Sequence, residues 1–206
     1  NTTNDTTPTL TGVAEPGATI TIQKNGVTVA TAVADSTGSW SATTSTLLSG
    51  ANTLSIIATD RAGNTSVTPA TITVELDTTA PDAPTIDMIS ASDTGVSNVD
   101  DITSNTRPTI TGTGINGDTI TLKDANGHVI GTTIVANGHW SITPSSPLAD
   151  GSQLLEATAT DPSGNTSTPA ILSISIDTAA PAITLTSVED DIAGGVVGVL
   201  SNASVT

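Results

Sequence analysis

A nine-residue stretch occurs twice in this chain. Ala58-Thr59-Asp60-Arg61-Ala62-Gly63-Asn64-Thr65-Ser66 returns as Ala159-Thr160-Asp161-Pro162-Ser163-Gly164-Asn165-Thr166-Ser167, and Asp77-Thr78-Thr79-Ala80-Pro81 returns as Asp177-Thr178-Ala179-Ala180-Pro181. Asp77 and Asp177 stand 100 residues apart. A period of that length marks an array of whole domains, since solenoids repeat every ~20–50 residues. The 206 residues therefore divide into a unit over 1–78, a unit over 79–178, and the opening segment of a third unit over 179–206. Each complete unit has enough chain to bury its own core.

What fills those cores follows from composition. Hydrophobic residues make up 35% of the chain, and the only aromatic ones are Trp40 and Trp140, one per unit. The cores are thus aliphatic with a single indole each. Thr and Ser supply much of the remainder, and β-branched residues suit a pleated sheet. No long run of apolar residues recurs with helical spacing.

The first unit reads as short alternating segments between turn signals. Strands are expected over 8–12 and 19–24, with Leu10, Ile20 and Ile22 facing inward. Asn25-Gly26 makes a hairpin turn that needs positive φ at both central residues. Strands follow over 27–33, through a turn at 35–38 into Trp40, and over 54–59 and 70–76. The second unit repeats this over 108–112, 119–123, a turn at Asn126-Gly127, Gly138 before Trp140, 154–160 and 171–176. Differences in length fall in turns, where one sandwich tolerates them. A further strand over 85–89 opens the second unit, and residues 183–188 read as its counterpart in the third. The first unit lacks that strand, and a sandwich without it presents an unpaired edge. Seven strands and a buried Trp, with no cysteine for an inter-sheet disulfide, indicate an all-β chain: tandem immunoglobulin-like Greek-key β-sandwich domains in a rod.

The net charge is -16, from 20 acidic and 4 basic residues, and 16 of the acids are Asp. Nucleic acid and anionic membrane are excluded as main partners. An acidic surface can serve solubility alone, but here the carboxylates crowd around the repeated stretch and the segment between units, where like charges are costly without a cation. Calcium takes six to eight oxygens from Asp, Glu, Asn, backbone carbonyls and water, and turn segments supply such ligands. The candidates are Asp60 with Asp77 and Asp161 with Asp177, each pair read as bracing the place where one unit stops and the next begins. A loop cluster of Asp93, Asp100 and Asp101 lies in a segment too irregular for either sheet. Asp190 and Asp191, with Glu189, belong to the joint with the third unit. The competing reading of Asp60 and Asp161 is a turn Asp bonded to its own backbone; that of the loop cluster is a solvated loop. Asp82, Asp87, Asp118, Asp124 and Asp150 have no repeated partners and are read as surface. His128 and His139 have no second ligand at zinc spacing. Trp40 and Trp140, each two residues after a Gly, are read as core. No nucleophile, base and orienting group form a catalytic motif.

At Thr59-Asp60-Arg61-Ala62-Gly63-Asn64-Thr65-Ser66, Asp77-Thr78-Thr79-Ala80-Pro81, Ser92-Asp93-Thr94-Gly95, Asp101-Ile102-Thr103 and Pro108-Thr109-Ile110-Thr111-Gly112, the sequence resembles the bacterial immunoglobulin-like repeats of giant adhesins that leave the cell by type I secretion. The resemblance spans nearly the whole chain. It implies extracellular, rod-forming repeats at the bacterial cell surface that bind calcium through Asp60, Asp77, Asp93, Asp100, Asp101, Asp161 and Asp177. The partners it implies are neighbouring repeats, and a host cell surface engaged by another part of the protein. At Val188-Glu189-Asp190-Asp191-Ile192 the loop departs from that pattern. The expectation is a calcium-stiffened structural segment of a secreted adhesin, not an enzyme and not inserted in a membrane. The alternatives are repeats that themselves bind glycan or receptor, and accessory domains of a secreted hydrolase.

Overall fold

The computed structural model describes residues 1–184 and contains strands and loops but no helix over that range. The expected opening of a third unit falls mostly outside the described residues, as do Asp190 and Asp191.

The first unit is a two-layer sandwich. Its strands are β1 (Thr2–Thr3), β2 (Thr9–Val13), β3 (Thr19–Lys24), β4 (Val27–Val33), β5 (Ser39–Thr43), β6 (Gly50–Thr59) and β7 (Ala70–Leu76). One sheet has the order β1-β7-β6-β3-β4, and the other is the pair β2-β5. Alternation places Ile20, Ile22, Leu54, Val74 and Leu76 in the core between them, as period-two patterning requires. Asn25 and Gly26 have φ of 52° and 79°, the expected conformation for the β3-β4 hairpin.

The second unit repeats the plan and adds a strand. After β8 (Asp87–Met88) come β9 (Ile102–Thr103), β10 (Ile110–Thr113), β11 (Thr119–Asp124), β12 (Val129–Ile134), β13 (His139–Ile142), β14 (Gly151–Thr160) and β15 (Ala170–Ile176). The sheets are β12-β11-β14-β15-β9 and β13-β10-β8. Its core holds Ile110, Ile120, Leu122, Trp140, Leu155, Ile174 and Ile176. The expected strand over 85–89 is present: β8 pairs with β10, and the amides of Thr85 and Ile89 donate to the carbonyls of Thr113 and Thr109.

Three expectations need correction. Residues 102–103 are not irregular loop; β9 runs parallel to β15, as β1 runs parallel to β7. Strands β6 and β14 start at Gly50 and Gly151, several residues ahead of the apolar pattern. Finally, the two Trp residues are not equivalent: Trp140 is buried, whereas Trp40 is half-buried.

The units touch end to end. The Asn4 amide donates to the Ser163 carbonyl at 3.1 Å, and Asn165 Nδ2 donates to the Asp77 carbonyl at 2.8 Å. The loop at 161–165 of the second unit thus seats on the end of the first, where β1 and β7 finish.

Candidate metal centres

The repeated stretch forms the same loop in both units. The Asp60 amide donates to the Asn64 carbonyl and the Gly63 amide to the Asp60 carbonyl, with the same two bonds at Asp161, Asn165 and Gly164. Gly63 and Gly164 have φ of 90° and 97°, a conformation that suits glycine. The Asp60 carboxylate accepts from the amides of Ala62 and Asn64 and from Asn64 Nδ2. Asp161 accepts from Ser163, Asn165 and Asn165 Nδ2 in the same way. The side-chain amides of Asn64 and Asn165 are the leading cause that holds both carboxyls below the ordinary 3.8. Asp35 and Asp124 close loops of the same pattern. These four aspartates are turn-formers first, as the competing reading of Asp60 and Asp161 had it.

Asp60 and Asp77 cannot share an ion. β6 runs ten residues from Gly50, opposite Leu76, to Thr59, so the two carboxylates sit at opposite ends of the sandwich, roughly 30 Å apart. The same geometry separates Asp161 from Asp177. The joint instead pairs the end of one unit with the loop of the next: Asp77 with Asp161. Asp77 presents its backbone carbonyl to Asn165, while its side chain accepts from the Thr79 amide. Asp177 does the same for Ala179 at the far end of the second unit.

Two buried carboxylates remain short of partners. Asp118, read as surface, is 2% exposed and its Oδ2 has no hydrogen bond. Burial pushes its carboxyl above 3.8, and the Asp161 charge adds to the rise. The position corresponds to Ala18 in the first unit, also buried. A lone Asp in the second copy carries no periodic signal, but its placement opposite a buried Ala in the aligned units was available as a clue.

The second is Asp93, 6% exposed. Its Oδ2 accepts from the amides of Asp100 and Asp101, while Oδ1 has no partner. Asp101 adopts φ of 60°, and its carboxyl is raised by burial and then by Asp87, Asp93 and Asp100. Asp87 is exposed, as read from the sequence, and only its charge reaches Asp101. A Cβ on Gly95 would lie 2.9 Å from the Ile102 carbonyl, 3.6 Å from that of Ser97 and 3.8 Å from Asp100 Oδ1. Oxygens converge on space that any other residue would fill. Among the described residues, no three carboxylates or imidazoles meet as a ready-made cation site; an ion here would need these carbonyls as well. The donor set, all oxygen with an orphaned buried carboxylate, fits a hard cation such as calcium.

A family model described as "Bacterial Ig-like domain" matches residues 1–78 and again residues 79–178. The chain belongs to the bacterial Ig-like domain family. Several solved structures are similar to its Ig-like units. A structure of Clostridium thermocellum CbhA fibronectin(III)-like modules is 15% identical with a TM-score of 0.47, over 85% of this chain and 87% of that one. A 1.5-MDa bacterial ice-binding adhesin is 27% identical with a TM-score of 0.36, over 85% of this chain and 59% of that one. The BSP domain of a biofilm associated protein is 23% identical with a TM-score of 0.35, over 87% of this chain and 29% of that one. The Ig-like chain thus spans under a third of the last and about three fifths of the adhesin. No curated protein sequence matches it.

Proposed function

We propose that this chain is a structural segment of an extracellular bacterial adhesin, in which calcium stiffens the stack of Ig-like units and holds a binding tip away from the cell. The observation that supports it is the joint. The Asn165 side chain crosses to the Asp77 carbonyl, and beside it Asp118 keeps a buried oxygen unpartnered next to Asp161. Two buried or part-buried carboxylates of like charge oppose seating of the loop unless a cation offsets them. Asp118 and Asp161 would hold that ion at the joint. Asp93, Asp100 and Asp101 would hold another, pinning the segment between β8 and β9 to the second sandwich. Calcium supplies charge and many-coordinate oxygen binding; the residues supply position. Catalysis forms no part of this role, and a host surface is engaged elsewhere in the parent protein.

The test is small-angle scattering and calcium titration on the 206-residue chain. Calcium should narrow the distribution of interdomain angles, and Asp118→Ala should abolish the narrowing while both sandwiches stay folded. Scattering profiles that superimpose with and without calcium would reject the stiffening role.

A further inference from the structure

Four asparagines in this chain precede a glycine: Asn25, Asn116, Asn126 and Asn137. Such a pair is chemically labile. The backbone nitrogen of the glycine, once deprotonated, attacks the side-chain carbonyl carbon of the asparagine, and glycine carries no side chain to hinder the approach. That nitrogen must therefore be free to give up its proton, and an acceptor that holds the N–H in place protects it. All four asparagines are exposed, so exposure does not rank them. Hydrogen bonding separates them. Gly117 donates to the Val135 carbonyl at 3.1 Å and Gly127 to the Asp124 carbonyl at 2.9 Å. Gly138 donates to Asn116 Oδ1 at 2.6 Å. This last bond guards two sites at once, because it occupies the Gly138 nitrogen and fixes the Asn116 side chain against a residue other than Gly117. The Gly26 amide has no acceptor among the described residues, since Lys24 and Val27 pair with each other to close the turn and Gly26 lies between them. Turn conformation is not the difference: φ is 52° and 79° at Asn25-Gly26, against 54° and 77° at Asn137-Gly138.

We propose that Asn25 is a self-modification site, at which the first unit deamidates while the three Asn-Gly pairs of the second are shielded. The Gly26 nitrogen gives its proton to a solvent base and bonds to Asn25 Cγ; the Cγ–Nδ2 bond breaks, and that nitrogen leaves as ammonia. Water then opens the five-membered imide at either carbonyl, leaving an aspartyl or an isoaspartyl residue at position 25. The only co-reactant is water. Either product adds a negative charge at the tip of the β3-β4 hairpin. The isoaspartyl form also inserts a methylene into the main chain of a two-residue turn, and the length of that turn sets the register of β3 on β4.

The test incubates the folded 206-residue chain at mildly alkaline pH, below its unfolding temperature, and follows each site by peptide mapping and mass spectrometry. Four synthetic peptides, residues 22–29, 113–120, 123–130 and 134–141, give the rates without a fold. The ratio of peptide rate to protein rate should be smallest at Asn25, at least about threefold below its value at each of the other sites, as one amide hydrogen bond to be opened requires. Asn116→Ala should speed deamidation of Asn137 at least about threefold. It should leave Asn126 unchanged, although residues 125–128 and 136–139 are the same tetrapeptide, Ala-Asn-Gly-His. Asn116→Asp keeps the oxygen acceptor and should leave Asn137 shielded. A ratio at Asn25 equal to or above that at any other site overturns the proposal. So does an Asn137 rate that Asn116→Ala does not move.

Discussion

Asn52 occupies the floor of the first core at 0% exposure. Its Nδ2 donates to the carbonyls of Leu48, Gly50 and Val74, and its Oδ1 accepts from Lys24. It therefore ties the 48–50 turn to β7 from inside the core, and Asn52→Ala should cost about 2–3 kcal/mol, read as a lower urea midpoint. A midpoint unchanged within error would show that water replaces the side chain. The turn aspartates make a second prediction. The Thr37 hydroxyl leads in holding the Asp35 carboxyl below 3.8, as Asn64 and Asn165 do for Asp60 and Asp161. A folded-state pKa below the unfolded one means fewer protons bound when folded, so these loops add stability above pH 3.8 that is lost as pH falls through the depressed values. The unfolding temperature should drop steeply below about pH 4, and Asp35→Asn should flatten that limb.

At the scale of strands, alternation made the sandwich legible: Ile20 and Ile22, or Val74 and Leu76, declare one face each. What it hid were segments whose burial is polar. β6 begins with Gly50, Ala51, Asn52 and Thr53, and the buried member of that run is Asn52, so the pattern starts only at Leu54. β1 and β9 are two residues long and pair in parallel, with too few side chains to carry any period. The metal candidates were legible as loops but not as neighbours. Repetition suggested that Asp60 and Asp77 belong together, yet Asp60 follows β6 at the turn and Asp77 follows β7, so the length of the sandwich lies between them. Asp118 was harder to find because the first unit has Ala18 in its place, so the repeat itself carries no second carboxylate there. The strand that distinguishes the units yields a prediction of its own. Gly112→Ala places a methyl group on the Thr85 carbonyl, and should destabilise the second unit by about 1–3 kcal/mol with a red shift of Trp140 emission. Gly12→Ala meets only the half-buried Trp40 ring and should cost less.

For the whole molecule, the joint decides behaviour. Asn165→Ala removes the side-chain contact to Asp77 and should broaden the interdomain angles seen by residual dipolar couplings, with the core shifts of both units unchanged. Because Asp77 contributes its backbone carbonyl, Asp77→Ala should perturb the joint less; the reverse order would move the contact to the Asp77 carboxylate. Calcium should raise the unfolding temperature. At tenfold saturation of a site, mass action gives about 1.4 kcal/mol, and magnesium should give much less because it demands a tighter octahedron. The gain should be larger at pH 7 than at pH 4, since Asp101 and Asp118 are held above 3.8 and lose stability as pH rises through their raised values unless a cation is present. A temperature indifferent to chelator at low ionic strength would remove both sites.

The bond from Asn165 to the carbonyl of residue 77 has a consequence for how such arrays change over generations. A main-chain oxygen is the same whatever side chain precedes it. A unit bearing the Asp-Gly-Asn loop can therefore stack on any neighbour whose last strand ends in the same place, with no matched pair of side chains to preserve. The first unit carries that loop at 60–64, on the end turned away from the second. Copies can then be gained, lost or reordered by recombination, and the length of the rod can drift without each new junction having to be reinvented.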